Sequence, residues 1–309
     1  MSQAPIPHWP GASVDLGDHD VFVRSVPGHE GEPAQNEPAL CVHGLAGSSR
    51  NWTDLMDLLR PRLACDALDL PGFGDSPPRP DGRYSIAALT KTVAALIERR
   101  GQGPVHLIAN SLGGAVSVRL AATRPGLVRT LTLISPALPD SRPRLDLIRF
   151  PVISLPRIGA RLLRKYDALP PHARVADVIA TCFSNPAGFP QERFAAEVEE
   201  LARRDTLDHA SAALIGSVRT LTAEFFKRQA WRDATRVTAP TLVIYGSDDR
   251  LVDPRMAGRA ARAFAHARIV VLPRTGHLAH MEHPAQVAAE IGVLLAAQRA
   301  REFPLAPAG

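Results

Sequence analysis

Short apolar runs alternate with amphipathic stretches along most of the chain, and this alternation predicts an α/β fold. Apolar runs bounded by turn residues are typical of buried strands, whereas apolar residues that recur every three or four positions indicate helices. The predicted strands are residues 39–42, 63–70, 105–109, 128–134, 241–245 and 268–272. The predicted helices are residues 49–60, 86–99, 112–122, 255–264 and 284–300. Repeated β-α-β units with short turns favour a doubly wound, mostly parallel sheet.

The alternation is preceded by a predicted hairpin and is interrupted once. Residues 13–26 contain two β-rich runs on either side of Gly17, which indicates a hairpin. From about residue 135 to 235, prolines, arginines and helical stretches replace the strand pattern. We therefore predict a core of residues 1–136 and 236–309. Residues 137–235, called the inserted segment below, are predicted to form a helical cap, or lid, between two core strands.

Composition narrows the class of protein. The 309 residues are 45% hydrophobic, which suits one large α/β domain with an insertion. No apolar run reaches the ~20 residues that span a bilayer, and the first residues do not have the pattern of a secretory signal. Cys41, Cys65 and Cys182 are far apart and odd in number, so we expect reduced thiols and a cytoplasmic protein.

The charge balance is weak evidence for a charged partner. The net charge is +5, arginine supplies most of the positive charge, and only 5% of residues are aromatic. A nucleic-acid reader is expected to show a known motif or a basic stripe with aromatic residues, so we predict no nucleic-acid partner. The sequence has no metal-ligand cluster and no phosphate-binding loop, so we predict neither a metal nor a cofactor. The composition leaves the oligomeric state open.

Ser111 is the candidate nucleophile. It lies in Ala-Asn-Ser-Leu-Gly, residues 109–113, directly after an apolar run and directly before a predicted helix. A strand-turn-helix of this kind strains the backbone of the serine and points its hydroxyl above the sheet. The tight turn needs small neighbours, which are Ala109, Gly113 and Gly114. An ordinary turn serine is the alternative, and the positions of possible partners decide between the two.

Asp249 and His277 are the predicted acid and base. A serine hydroxyl needs a base to become a nucleophile, and the base is usually a histidine that a buried carboxylate orients. Both residues directly follow apolar strands, so they are expected at the carboxyl edge of the sheet with Ser111. Other residues nearby could take these roles. They are Asp248, Asp253 and Asp140 for the acid, and His280 and His283 for the base.

Two backbone N–H groups are predicted to form an oxyanion hole. They are Leu112 N–H, at the start of the helix after the serine, and Leu45 N–H, in the loop after an earlier strand. Glycine in that loop lets the backbone pass close to a substrate. The residues predicted to support the site are His43, which braces the oxyanion loop, and Gly44, Asn110 and Gly113.

In their order along the chain, these motifs resemble those of the α/β-hydrolase family. The matches run from residue 39 to 285 and are His43-Gly44-x-x-Gly47, Asp69-Leu70-Pro71-Gly72-Phe73-Gly74-Asp75-Ser76, Asn110-Ser111-Leu112-Gly113-Gly114, Gly246-x-x-Asp249 and Gly276-His277-x-x-x-x-Glu282-x-Pro284. Ala109 departs from the commonest form, which has glycine, but alanine is also small. The dehalogenase and epoxide-hydrolase branches place aspartate at position 111, so the resemblance excludes them. We expect Glu282 to favour the start of the last helix rather than to contact the cap.

The resemblance and the predicted triad together imply a serine hydrolase. We predict cleavage of a carboxylic ester, small or lipid-like, through an acyl-enzyme on Ser111. The same triad could instead cleave carbon–carbon, lactone or amide bonds or transfer an acyl group. The oxyanion loop has fewer glycines than is usual in carbon–carbon hydrolases, which disfavours that option. A ligand-sensing protein on a hydrolase scaffold is an alternative of a different class.

Residues 141–165 are both basic and apolar. The basic members are Arg142, Arg144, Arg149, Arg157, Arg161, Arg164 and Lys165, with Asp146 as the one acid. The favoured interpretation is an ordinary cap helix with its apolar face on the site and its arginines in water. The alternative is weak contact with an anionic lipid surface.

Overall fold

A computed structural model of the chain describes residues 5–26, 36–140, 152, 155–225, 227 and 229–302. Within these ranges, eight strands form one sheet in the order β1-β2-β4-β3-β5-β6-β7-β8. The strands are β1 (Gly11–Asp15), β2 (Asp20–Ser25), β3 (Glu37–Val42), β4 (Leu63–Leu68), β5 (Val105–Asn110), β6 (Val128–Ile134), β7 (Thr241–Gly246) and β8 (Ala267–Leu272). β1 and β2 pair antiparallel as the predicted hairpin, β2 pairs antiparallel with β4, and the remaining pairs are parallel. The predicted mostly parallel α/β sheet is confirmed.

Helices connect the parallel strands. The helices are α1 (Thr53–Leu59), α2 (Ile86–Arg100), α3 (Ser111–Thr123), α4 (Pro156–Asp167), α5 (Pro171–Cys182), α6 (Gln191–Arg204), α7 (Ala210–Phe225), α8 (Gln229–Ala234), α9 (Met256–Ala263), α10 (Ala279–Glu282) and α11 (Pro284–Glu302). Of these, α4 to α8 lie between β6 and β7 in sequence, although β6 and β7 are neighbours in the sheet. The inserted segment is therefore helical in its described part. None of the helices in the described ranges is long and apolar enough to cross a membrane.

The apolar core lies on both faces of the sheet. Leu107 and Ala109 of β5 belong to a cluster with α2 and α3, whereas Ile108 belongs to a second cluster with α1 and α11. Because successive strand residues point to opposite faces, a strand buried on both faces is apolar at nearly every position. Burial on both faces explains the apolar residues 107–109 before the serine turn, and all six residues of β5 are buried.

Candidate active site

Ser111 lies at the junction of β5 and α3. Asn110 has extended backbone angles, with φ −114° and ψ 143°, whereas Ser111 has a positive φ of 50°. A residue other than glycine in this left-handed region costs on the order of 1–3 kcal/mol, and such strain clusters at functional sites. The backbone therefore has the strained strand-turn-helix geometry that exposes a nucleophilic hydroxyl.

Close backbone packing surrounds this turn. A Cβ atom added to Gly113 would lie 2.4 Å from the carbonyl oxygen of Val42, so only glycine lets α3 begin against the end of β3. A Cβ atom added to Gly44 would lie 2.9 Å from Cβ of Ser111. The loop after β3 therefore runs directly beside Ser111, as the predicted oxyanion loop must.

The two predicted oxyanion donors come from the chain on either side of Ser111. Leu112 lies in the first turn of α3, where backbone N–H groups have no acceptor within the helix. Leu45 follows Gly44, and the N–H of Gly47 donates to the carbonyl oxygen of Gly44 at 3.2 Å, which closes a tight turn. The loop and the helix start thus bring both backbone segments next to the serine.

Asp249 and His277 are hydrogen-bonded to each other. His277 Nδ1 lies 2.9 Å from Asp249 Oδ2, and the Asp249 side chain is fully buried. The other oxygen, Oδ1, accepts the N–H groups of Leu251 at 2.8 Å and Val252 at 2.9 Å. Burial raises the pKa of Asp249, but the His277 charge and these hydrogen bonds outweigh burial, so the pKa is lowered. An ionised carboxylate only accepts hydrogen bonds, so Nδ1 carries the proton and Nε2 is free to act as a base.

Asn110 ties the turn at Ser111 to residues 273–278, which carry His277 and are called the histidine loop below. Its Nδ2 donates to the carbonyl oxygens of Ile134 at 3.0 Å and His277 at 3.2 Å. The carbonyl oxygen of Ser111 accepts the N–H of Ala137 at 2.9 Å. Among the described residues, the side chains of Ser111 and His277 do not share a hydrogen bond, and such bonds are often long until a substrate binds. The supporting role predicted for Asn110 has a physical basis in these two contacts.

The alternative acids have other partners or positions. Asp248 is exposed and accepts hydrogen bonds from the Ser184 and Ser247 hydroxyls, with its Oδ2 2.5 Å from Ser184 Oγ. Asp253 accepts Arg255 Nε at 2.9 Å. Asp140 is half-buried beyond the end of β6.

The alternative bases are also placed elsewhere. His280 is buried and stacks on Trp52, with ring centroids 4.2 Å apart, and burial lowers its pKa to about 3. Nε2 of His283 donates to the carbonyl oxygen of Arg274 at 3.1 Å. A histidine that stays neutral inside an aromatic stack, or that bonds a surface carbonyl, is poorly placed to exchange protons with a substrate.

His43 joins the loop after β3 to the chain after β4. Its Nε2 accepts the N–H of Leu70 at 2.9 Å, which requires the proton to be on Nδ1. Nδ1 in turn donates to the carbonyl oxygen of Gly44 at 2.7 Å. Burial lowers the pKa of His43 to about 4, so the ring stays neutral and both hydrogen bonds persist at neutral pH.

Contacts between the inserted segment and the site loops were not foreseen from the sequence. Glu282 accepts backbone N–H groups of Gly276, Ser184 and Asn185, so it contacts the inserted segment, contrary to our expectation. Arg204 of α6 donates to the carbonyl oxygen of Ala46 at 3.1 Å, inside the predicted oxyanion loop. The spacing of Glu282 after His277 was the only feature of the sequence that pointed to these contacts. Helix periodicity shows which face of a helix is buried, but not which part of the protein it packs against.

The inserted segment also forms ion pairs with the core. Arg203 lies 2.7 Å from Asp75, and Glu200, which is buried, lies 3.2 Å from Arg50. Arg193 lies 2.7 Å from Asp54. These pairs all come from α6, so charged contacts hold α6 against the core.

Part of the basic, apolar stretch can be located. Residues 141–151 lie outside the described residues, so the predictions for Arg142, Arg144, Asp146 and Arg149 cannot be placed. In α4, Ile158 is 52% exposed and Leu162 is 41% exposed, while Leu163 is buried. Arg161 and Lys165 are exposed on the same helix. The described part of the stretch thus presents apolar and basic side chains to solvent.

Known proteins resemble this chain over most of its length. The chain is 30% identical over 249 residues to a Variovorax paradoxus protein named as a carbamate hydrolase, covering 79% of this chain and 86% of that protein. It is 26% identical over 263 residues to the pimeloyl-[acyl-carrier protein] methyl ester esterase of Neisseria meningitidis, covering 80% of this chain and 88% of that protein. It is 27% identical over 254 residues to the dihydrolipoyllysine-residue acetyltransferase component of the acetoin cleaving system of Pseudomonas putida, covering 81% of this chain but only 61% of that relative.

Structural and family comparisons agree with these matches. The solved structure of 2-hydroxy-6-oxo-6-phenylhexa-2,4-dienoate hydrolase from Rhodococcus sp. strain RHA1 superposes with a TM-score of 0.73 at 20% identity, covering 94% of this chain and 98% of that one. At that identity the likeness concerns the fold alone. The model of the alpha/beta hydrolase fold family matches residues 38–284. Because that match covers most of the chain, from β3 through β8 and including the serine turn and both candidate partners of Ser111, this chain belongs to the α/β-hydrolase fold family.

Proposed function

We propose that this hydrolase cleaves a carboxylic ester through an acyl-enzyme on Ser111. The observation that carries the proposal is the hydrogen bond between Asp249 and His277, on a loop that Asn110 ties to the strained serine turn. Relatives named as an esterase and a carbamate hydrolase support attack on an acyl carbonyl. A small-molecule acyl ester is the proposed substrate.

The proposed reaction has two halves. Ser111 Oγ attacks the acyl carbonyl while His277 Nε2 takes the hydroxyl proton, and the charge on Asp249 stabilises the imidazolium that forms. The N–H groups of Leu45 and Leu112 hold the negative oxygen of the tetrahedral intermediate. His277 then gives its proton to the leaving alcohol. In the second half, His277 takes a proton from water, the resulting hydroxide attacks the acyl-enzyme, and Ser111 recovers its proton as the acid leaves.

The inserted segment is proposed to act as a cap over this site. Its support is the contact of Arg204 with the oxyanion loop and that of Glu282 with the segment. The proposed boundaries of the cap remain residues 137 and 235. Every step of the reaction uses groups of this chain, so the proposal needs no metal or cofactor. A cytoplasmic location is part of the proposal, and the three cysteines, which are buried free thiols, support it.

Exchange of Ser111 for alanine tests the proposal. We expect turnover of short p-nitrophenyl esters to fall by on the order of 10⁴-fold or more, because loss of a triad serine removes the covalent route. Ser117→Ala is the matched control, since Ser117 is fully buried on the same helix but lies six residues, or about 9 Å at 1.5 Å per residue, beyond Ser111. Wild-type rates in Ser111→Ala would sink the mechanism, whereas a comparable loss in Ser117→Ala would point to damage to the fold.

A panel of substrates distinguishes ester cleavage from cleavage of other kinds of bond. Acyl esters of increasing chain length, amides, lactones and dienolic ketones are compared on the wild-type protein. The dienolic ketone is the most informative competitor, because its turnover reports carbon–carbon cleavage by the same triad. A higher kcat/KM for the ketone than for any ester would replace ester cleavage by carbon–carbon cleavage. Labelling of Ser111 by a fluorophosphonate without turnover of any substrate would favour a ligand sensor.

A further inference from the structure

The end of α5 contacts the backbone of the histidine loop directly. His277 N–H donates to the carbonyl oxygen of Cys182 at 2.6 Å. A Cβ atom added to Gly276 would lie 2.3 Å from that same oxygen, so the two backbones are in van der Waals contact. The residue proposed as the base is therefore supported on one side by the inserted segment.

The Glu282 carboxylate joins the same two pieces of chain. Oε2 accepts the N–H of Gly276 at 2.7 Å and the N–H of Ser184 at 3.2 Å. Oε1 accepts the N–H of Asn185 at 2.9 Å. Hydrogen bonds to a carboxylate are roughly twice as strong as those between neutral groups, so one half-buried side chain holds a loop and a segment that are far apart in sequence.

We propose that Glu282 is a positioning residue, which keeps His277 in reach of Asp249 and Ser111 by clamping the histidine loop to the end of α5. The position of the inserted segment on the core then determines the position of His277. Displacement of residues 182–185 would withdraw the carbonyl oxygen that accepts His277 N–H and loosen the clamp. The inference rests on the proposed function, because it assigns the role of base to His277.

The geometry favours this role over a simple effect on the last helix. All three N–H groups described as donors to Glu282 belong to the histidine loop or to the inserted segment, and none belongs to α11. Asp248 provides a built-in comparison, because it also contacts the inserted segment through the hydroxyl of Ser184. Its side chain does not bond the backbone of Gly276 or His277 in the described structure. It reaches the histidine loop only through the hydroxyl of Ser247, which accepts the N–H of Arg274 at 2.9 Å, three residues before the base.

Glu282→Gln removes the charge and one acceptor but keeps the size of the side chain. A glutamine has one oxygen for three donors, so its amide NH₂ must face at least one backbone N–H. Because an error of about 1 Å in the position of a reacting group can cost on the order of 100-fold, we expect kcat to fall roughly 10-fold to 100-fold. KM is expected to change by less than about threefold, since Glu282 does not form part of the proposed oxyanion hole.

A spectroscopic readout separates positioning from stability. The proton on His277 Nδ1, shared with Asp249, is followed by low-field proton NMR in wild type, Glu282→Gln and Asp248→Asn. We expect the resonance to shift or broaden in Glu282→Gln and to stay unchanged in Asp248→Asn, whose kcat stays within about threefold of wild type. Glu282→Ala, which loses all three contacts, is expected to exceed Glu282→Gln in both effects; if it fails to fold, Glu282→Gln decides alone.

Three outcomes would overturn the inference. They are wild-type kcat in Glu282→Gln, a loss of kcat with the His277 resonance unchanged, and an equal loss in Asp248→Asn. Failure of the proposed function has a different signature, which is continued turnover by Ser111→Ala. The resonance of the proton on His277 Nδ1 is measured without any substrate. It therefore tests whether Glu282 positions His277 even if the proposed function fails.

Discussion

Replacement of Asp249 by asparagine is expected to reverse the tautomer of His277. Oδ1 of Asp249 accepts the N–H groups of Leu251 and Val252, and Oδ2 faces His277 Nδ1. In the variant, the amide oxygen is expected to keep the two backbone donors, so the new NH₂ group faces Nδ1. Nδ1 must then accept a hydrogen bond, the imidazole proton moves to Nε2, and His277 can no longer take the proton of Ser111.

The size of the effect follows from the two backbone donors. The opposite orientation of the amide would preserve the productive tautomer but leave two buried N–H groups unsatisfied, at about 1–3 kcal/mol each. That is about 2–6 kcal/mol together, and at about 1.36 kcal/mol per tenfold it lowers the productive population about 30-fold to 10⁴-fold. Without the negative charge, the imidazolium form of His277 is also less stable. We therefore expect a loss at the upper end of this range, near the loss of about 10⁴-fold in kcat that an inverted triad tautomer causes.

Initial rates on a p-nitrophenyl ester that wild type turns over measure this loss. Asp248→Asn is the matched control, because the neighbouring carboxyl is exposed and bonds Ser184 instead of the histidine. We expect Asp248→Asn to stay within about threefold of wild type. A kcat for Asp249→Asn above about a tenth of wild type would refute the tautomer reasoning. An equal loss in both variants would show that Asp249 is not the acid.

Two further predictions concern stability and surface contact. His280→Phe is expected to flatten the pH dependence of the unfolding free energy by about 1.4 kcal/mol per pH unit between roughly pH 6 and 4. Burial lowers the pKa of His280 to about 3 in the folded protein. Below pH 6.5 the unfolded chain therefore binds a proton that the folded chain does not, and the folded state loses stability as the pH is lowered. Urea unfolding at several pH values measures the slope, and an unchanged slope contradicts the reasoning. Under the alternative that the basic, apolar stretch contacts anionic lipid, wild type sediments with anionic vesicles and Ile158→Ser weakens that binding, whereas Val293→Ser, 49% exposed against 52% for Ile158, does not. Equal effects of the two variants, or no binding by wild type, would exclude a lipid role for α4.

The fold was largely predictable because its signals are local. Alternating apolar runs and turn residues placed the core strands and their connecting helices, and the structure differs mainly at the ends of these elements. The predicted helix at 112–122, for example, begins at Ser111 and ends at Thr123. The strained turn was predictable for the same reason, since the small residues around Ser111 are within a few positions of it.

The identity of the acid was harder to predict. Asp248 and Asp249 are adjacent and follow the same strand, so the local sequence pattern hardly distinguishes them as candidates for the acid. The structure separates them, because the Asp249 carboxylate turns inward to the N–H groups of Leu251 and Val252 while Asp248 turns outward to Ser184. Both residues lie in the turn after β7, which ends at Gly246, and the path of the backbone through that turn decides which side chain points inward.

The sequence by itself determined the α/β alternation, the order of Ser111, Asp249 and His277, and the small residues that a tight serine turn requires. These features depend on strand and helix periodicity and on backbone sterics, which act over a few residues. The tertiary structure alone decided which carboxylate meets the histidine and how Glu282 joins its loop to Ser184, which lies 98 positions away. Contacts at that separation depend on how the helices pack, and helix packing is set by the whole molecule rather than by any short stretch of sequence.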